Sequence, residues 1–143
     1  MGQFTKEINI LSWNICGWTQ NNSKSREAII LGLKCDVVVL QETHLKNDNI
    51  IVIPGYKCDS VFFNNRKEAN VRGRKGYGGI AMLFRNELLE NFDVKLLDKT
   101  RDGLIVSQLE HKFTHYTIIV IGCYLPPEQS TWDVMQLVFM PTC

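Results

Sequence analysis

The chain has 143 residues, 45% of them hydrophobic, and a formal net charge of +1. This length fits one domain, and the hydrophobic content is enough for a folded core, which argues against a globally disordered protein. The near-neutral charge gives no general electrostatic argument for nucleic acid, so such a partner has to be argued from a local basic segment. Five scattered cysteines without a C-x-x-C pair argue against a zinc knuckle. With no membrane-length apolar stretch and no signal peptide, we expect an intracellular protein, nuclear or cytoplasmic, that does not bind membranes.

The first predicted elements form a strand–helix–strand unit. Residues 8–13 are an apolar strand, and residues 23–33 have the pattern of a short amphipathic helix with Ser23 as its N-cap. Residues 37–40 are a β-branched block, typical of a strand that is buried on both faces. A crossover helix makes its two flanking strands parallel and neighbouring in the sheet.

Both of these strands stop on side chains that carry oxygen. Asn14 follows the first strand, and Gln41 and Glu42 follow the second. Parallel strands end at the same edge of a sheet, where open α/β sheets bind their ligands, so we expect Asn14 and Glu42 to lie close together. Carboxylate and amide oxygens are the ligands of hard cations such as Mg²⁺. The alternative is that both residues only cap loops.

The rest of the chain is predicted to be rich in strands. We expect strands over residues 56–63, 79–85, 92–97, 104–110 and 115–124. Hairpins therefore follow the first crossover in an α/β domain, and no internal linker indicates a second domain. His111 and His115 bracket a predicted hairpin turn and are expected to face solvent. His44, two residues after Glu42, can reach a phosphate or simply lie on its loop, and we favour the loop.

A basic segment lies between two of the predicted strands. It carries five cations and a single opposing acid, Glu68. Such a segment can follow a nucleic-acid backbone, or it can be an ordinary solvated loop. The candidate nucleic-acid-binding residues are Arg66, Lys67, Arg72, Arg74 and Lys75.

Four short segments resemble motifs of the endonuclease/exonuclease/phosphatase superfamily. They are Leu-Ser-Trp-Asn-Ile (11–15), Leu-Gln-Glu-Thr-His-Leu (40–45), Gly-Tyr-Gly-Gly-Ile-Ala (76–81) and Cys-Tyr-Leu-Pro-Pro-Glu (123–128). Their order and spacing are similar to the apurinic-type endonuclease domain of non-LTR (LINE-like) retrotransposons. The resemblance covers residues 7–132 and only the N-terminal portion of the family domain, and residues 133–143 form a divergent tail.

The resemblance implies a fold and a chemistry. The fold is a four-layer α/β sandwich, with two mainly antiparallel or mixed sheets flanked by helices. The reaction is metal-assisted hydrolysis of a phosphate ester, with DNA as the expected substrate and Mg²⁺ or Mn²⁺ as the cofactor. The implied catalytic residues are Asn14, Glu42 and Tyr124: Glu42 as the metal ligand, Asn14 beside the metal, and Tyr124 as a hydrogen-bond donor to the phosphate. No obligate protein partner is implied.

The chain also departs from the family pattern. The later Asp-x-Asn and Ser-Asp-His motifs are absent, and after Tyr124 the sequence holds one aspartate, Asp133, and no histidine. We therefore expect residues 1–143 to be a single truncated domain that is inactive and poorly soluble on its own, which leaves open whether the chain is an enzyme. The alternatives are a non-catalytic remnant or nucleic-acid-binding module, a phosphatase-type member of the superfamily, or an α/β domain with an unrelated binding role.

Overall fold

The computed structural model describes residues 7–65 and 78–124, which form one α-helix and two β-sheets. Helix α1 spans Ser23–Leu33. The strands of the first sheet are β1 (Ile10–Asn14), β2 (Val37–Gln41), β3 (Tyr56–Lys57), β4 (Phe63–Asn64) and β5 (Ile80–Arg85). The strands of the second sheet are β6 (Phe92–Asp98), β7 (Leu104–His111) and β8 (Thr117–Cys123). Short 3₁₀ helices span Ser60–Phe62 and Leu88–Glu90.

The first sheet is mixed and the second is antiparallel. The strand order of the first sheet is β1-β2-β5-β3, and β4 also pairs with β5. Strands β1 and β2 are parallel, with Asn14 opposite Gln41, while β5 runs antiparallel to β2. The predicted strand–helix–strand unit is therefore confirmed. The second sheet is a meander in the order β6-β7-β8.

Helix α1 occupies the predicted residues but is capped one residue earlier than expected. Asn22 is the N-cap, and its side chain makes no capping hydrogen bond to the helix. Its Oδ1 instead accepts a hydrogen bond from the Thr19 backbone N–H at 2.9 Å, in the turn before the helix. The prediction of Ser23 as the cap was therefore wrong. The helix ends at Lys34, which adopts a left-handed conformation and donates its N–H to the Ile30 carbonyl at 3.2 Å.

Strand β2 is buried on both faces, as its β-branched sequence predicts, and separates two apolar cores. Val38 and Leu40 belong to the core under α1, together with the buried Ile30. Val37 and Val39 belong to the core between the two sheets. The described residues thus form three layers, helix, sheet and sheet. This mixed α/β arrangement agrees with the expected fold class, and the fourth layer stays a prediction.

The predicted strand over residues 56–63 was wrong, because a 3₁₀ helix interrupts it. The Asp59 side chain accepts a hydrogen bond from the Val61 N–H at 3.1 Å and starts this turn. The chain then returns to the same neighbour, so β3 and β4 pair with different parts of β5. The turn also places Phe62 in the core between the sheets, with its ring 4.9 Å from that of Phe84.

The prediction that His111 faces solvent was also wrong. His111 is 7% exposed, because every second residue of β7 faces the core and His111 continues that row. Its Nδ1 accepts hydrogen bonds from the backbone N–H groups of Phe113 and Thr114 at 3.3 and 3.2 Å. Its ring stacks on Tyr116. His115, in contrast, is exposed.

Gly122 in β8 allows the two sheets to approach each other closely. A Cβ at this position would lie 3.0 Å from Val39 Cγ1 and 3.2 Å from Met82 Cε, both on the first sheet. We expect Gly122→Val to lower the free energy of unfolding by about 1–3 kcal/mol, because the added methyl groups overpack the core. Urea unfolding measures this change. Ile121→Val, at the neighbouring exposed position, is the matched control, and equal stability of both variants would contradict the prediction.

Tyr56 gives a prediction on pH. Its buried hydroxyl donates to the Cys35 carbonyl at 2.8 Å. Burial raises the pKa of the Tyr56 phenol, and the positive charge of Arg85 opposes this by a smaller amount. The folded state therefore holds this proton more tightly than the unfolded state. The resulting stability is fully present below the ordinary pKa of about 10 and is lost as pH rises through the folded pKa.

We therefore expect Tyr56→Phe to lose about 1 kcal/mol at neutral pH, for the missing hydrogen bond. Its free energy of unfolding should then fall less steeply than that of the wild type between about pH 9 and 11. Tyr116→Phe removes a half-exposed phenol and serves as the control. A wild-type pH dependence in Tyr56→Phe would contradict the assignment.

Candidate active site

Glu42 carries a buried carboxylate that connects the two sheets at one end of the sandwich. It is the first residue after β2 and is 8% exposed. The Tyr124 hydroxyl, directly after β8 in the second sheet, donates a hydrogen bond to its Oε2. Tyr124 is itself 3% exposed. The contact joins residues that are 82 positions apart, so it depends on the packing of one sheet on the other.

Asn14 lies at the same end of the sandwich. It is opposite Gln41 in the parallel pair, so both side chains are on the face that is directed toward the second sheet. Its Oδ1 accepts the Cys16 backbone N–H at 3.2 Å in a turn that ends β1. The structure thus brings Asn14, Glu42 and Tyr124 to one region, as the strand ends and the motifs predict. Their catalytic roles stay predictions.

His44 lies beside the Glu42 carboxylate. Its Nε2 is 4.0 Å from Glu42 Oε1. Burial lowers the pKa of His44, and the negative charge of Glu42 opposes this by a smaller amount. The ring lies against Gly17, where a Cβ would be 2.9 Å from His44 Nδ1. The spacing of two residues from Glu42 was the only sequence feature that could have indicated this position.

Main-chain hydrogen bonds to neighbouring segments hold the loop of residues 42–44. Glu42 and His44 both have positive φ angles, +55° and +62°, which residues other than glycine rarely adopt. Such strain persists only where the surroundings fix the chain. Four main-chain hydrogen bonds do so: Gly17 N–H to the Glu42 carbonyl at 2.7 Å, Trp18 N–H to the Thr43 carbonyl at 2.8 Å, Thr43 N–H to the Gly79 carbonyl at 3.1 Å, and His44 N–H to the Gly78 carbonyl at 2.9 Å.

Gln41 contributes a second buried polar side chain next to Glu42. It is 5% exposed, and its Nε2 donates to the Ser12 hydroxyl at 2.8 Å. Its Oε1 is buried and receives no hydrogen bond from the described residues. The sequence interpretation noted Gln41 only as a strand end, because its partner is 29 residues away.

This set of oxygen atoms fits a hard divalent cation. Asn14, Gln41 and Glu42 supply amide and carboxylate oxygens at one strand end, and Mg²⁺ prefers such ligands. Within residues 7–65 and 78–124, no three side chains of His, Cys, Asp or Glu form a cluster. A small number of protein ligands is usual for Mg²⁺, which keeps several of its waters.

Comparison with known proteins identifies the family. The family model described as the Endonuclease/Exonuclease/phosphatase family matches residues 11–139. The chain belongs to this family. A search of curated proteins found no match.

For this endonuclease/exonuclease/phosphatase family member, the predicted nucleic-acid-binding residues and the predicted divergent tail lie in other parts of the chain. The candidate nucleic-acid-binding residues, from Arg66 to Lys75, lie outside the described residues, as does the tail of residues 133–143. Within the described part of the chain, no helix has the length and apolarity needed to cross a membrane.

The close contact of Gly79 with the loop of residues 42–44 predicts that substitution of Gly79 destabilises the protein more than substitution of Gly55. Gly79 has φ +91°, and a Cβ there would lie 2.5 Å from Thr43 Oγ1, whereas Gly55 has φ +85° and a Cβ there would meet nothing within 4 Å. We expect Gly55→Ala to lower the free energy of unfolding by about 1–2 kcal/mol, for the positive φ alone. Gly79→Ala should lose about 1–3 kcal/mol more, for the collision.

Denaturant unfolding of both variants measures the difference. Adding Thr43→Ala to Gly79→Ala removes the obstructing oxygen and should recover part of the additional loss. Equal losses for Gly55→Ala and Gly79→Ala would show that the contact with Thr43 does not constrain the loop.

Proposed function

We propose that the chain contributes the cation-binding side of a divalent-metal-dependent phosphodiesterase that acts on DNA, with Mg²⁺ or Mn²⁺ as its cofactor. The observation that carries the proposal is the buried Glu42 carboxylate, held by Tyr124 of the other sheet and adjacent to the end of β1 at Asn14. Carboxylate oxygens are ligands that Mg²⁺ and Mn²⁺ prefer, and a carboxylate at the meeting point of two strand ends can bind such a cation. Membership of the family supports this chemistry.

Each residue of the site has a distinct part in the proposal. Glu42 holds the cation, and the amide oxygens of Asn14 and Gln41 bind it or its waters. When bound, the cation stabilises negative charge on the phosphoryl oxygens and on the leaving oxygen. Tyr124 orients the carboxylate by donating its single O–H proton to it, and the same phenol can instead donate to a phosphate oxygen when the carboxylate binds the cation.

The basic sequence and the described residues that flank it support DNA as the substrate. Residues 66–77 carry the five candidate cations, and the described residues on either side of them bond to the polypeptide that follows β2. Asn65 Nδ2 donates to the carbonyls of Asn47 and Asn49 at 2.8 and 2.7 Å, and the Gly78 carbonyl accepts the His44 N–H. Asn65 and Gly78, the described residues that flank the basic sequence, therefore lie near the loop that carries Glu42.

Turnover by the 143-residue polypeptide is not part of the proposal. Hydrolysis needs a base to activate water, and the proposal assigns that role to none of the described residues of the site. For that reason the second candidate function is a module that binds DNA and a cation without cleaving. The two functions differ in whether a polypeptide that carries the later family motifs restores cleavage.

Calorimetric titration of the chain with Mg²⁺ and with Mn²⁺ tests the proposal. We expect binding by the wild type and an affinity at least about tenfold lower for Glu42→Gln, which keeps the shape and removes the charge. The control is Glu110→Gln, which removes an exposed carboxylate beside His115 in the second sheet. Equal affinities of Glu42→Gln and the wild type would refute the assignment of Glu42.

The same variants test turnover. In a nicking assay on supercoiled plasmid with Mg²⁺, we expect no cleavage above that of Glu42→Gln. Nicking by the wild type that disappears in Glu42→Gln would show that the 143 residues are an active nuclease. It would also exclude the non-catalytic module.

A further inference from the structure

Asn64, at the end of β4, holds the turn between β6 and β7. Its side-chain nitrogen donates to three main-chain carbonyls, those of Lys99 at 3.3 Å and Arg101 at 2.8 Å in the turn, and that of Leu104 at 2.9 Å at the start of β7. A second hydrogen bond runs from the turn back to β4, because Lys99 Nζ donates to the Phe63 carbonyl at 3.0 Å. The amide of Asn64 and the amine of Lys99 therefore fix the turn of residues 99–104 to the end of β4.

This turn contacts Tyr124 directly. The Tyr124 N–H donates to the Gly103 carbonyl at 2.8 Å. Gly103 has φ +75°, and a Cβ there would collide with the Tyr124 carbonyl oxygen. The pairing of Leu104 with Cys123 continues the contact into β7 and β8. The backbone of Tyr124 therefore rests on the turn that Asn64 holds.

We propose that Asn64 is a positioning residue for the candidate site, acting on the Glu42 carboxylate through the turn of residues 99–104 and the Tyr124 hydroxyl. The physical path is continuous: Asn64 to the turn carbonyls, Gly103 to the Tyr124 backbone, and the Tyr124 phenol to Glu42. The effect on cation binding rests on the proposed function, whereas the effect on the Tyr124 ring does not.

Replacement of Asn64 by aspartate removes the donors and keeps the shape. A carboxylate would then face three carbonyl oxygens, and the turn has to move away from it. Asn65→Asp is the matched control, because the adjacent Asn65 also donates to main-chain carbonyls, those of Asn47 and Asn49 in the first half of the chain. Asn64→Ala serves as the second variant, because it removes the donors without adding a charge.

The first measurement is ¹⁹F NMR of the full chain labelled with 3-fluorotyrosine. The chain has four tyrosines, and the resonance that disappears in Tyr124→Phe is assigned to Tyr124. We expect Asn64→Asp and Asn64→Ala to shift this resonance, as Glu42→Gln also does, and to leave the Tyr56 resonance in place. Asn65→Asp should not shift it. An unchanged Tyr124 resonance in both Asn64 variants would overturn the proposal, as would equal shifts of Tyr56 and Tyr124.

The second measurement is a double-mutant cycle on Mn²⁺ affinity. We expect Asn64→Asp to lower the affinity about tenfold, the scale found for outer partners of metal ligands, and to cause little further loss in a Tyr124→Phe background. Independent, additive losses would show that Asn64 does not act through Tyr124. Absence of Mn²⁺ binding by the wild type would refute the proposed function instead, and the ¹⁹F measurement would then decide the positioning role alone.

Discussion

The carboxylate of Glu42 is buried where two sheets meet, and it accepts a hydrogen bond from a tyrosine of the opposite sheet. A buried polar side chain is costly unless it is hydrogen-bonded, so the buried position of Glu42 depends on how the two sheets pack on each other. The partners are 82 residues apart. Nothing local can form the contact, which therefore depends on the sandwich as a whole.

The packing that sets this relation begins with β2. Its alternate residues supply two different cores, one under α1 and one between the sheets. Gly122 then lets β8 approach the first sheet closely enough for Tyr124, two residues later, to reach the end of β2. The apolar packing of the two sheets thus brings the side chains of Glu42 and Tyr124 together.

The sequence predicted the helices and strands that are determined by a pattern of neighbouring residues. Helix α1 has the predicted residues, and β2 and β5 differ from their predicted bounds by one residue. Errors arose where a short polar side chain competed with the regular pattern. Asp59 interrupted a predicted strand, and Asn22 replaced Ser23 as the helix cap. The burial of His111 could not be predicted, because it depends on which row of β7 faces the core.

The candidate site was predictable to a similar extent. Asn14 and Glu42 were found because strand ends collect polar groups, and the parallel pairing of β1 and β2 brings those ends together. Tyr124 was indicated by the resemblance alone. The partners of Gln41 and Asn64 are 29 to 40 residues away in sequence, and only the pairing of distant segments in three dimensions reveals them.

Four main-chain hydrogen bonds from neighbouring segments hold the loop that carries Glu42. Main-chain groups are the same in every amino acid except proline, so most side chains around this loop are free to diverge without displacing the acid. The exceptions are Gly17 and Gly79, where any side chain would meet His44 or Thr43. In distant relatives with this architecture, we expect glycine at the positions of Gly17 and Gly79 even where the sequences of the surrounding loops are no longer similar.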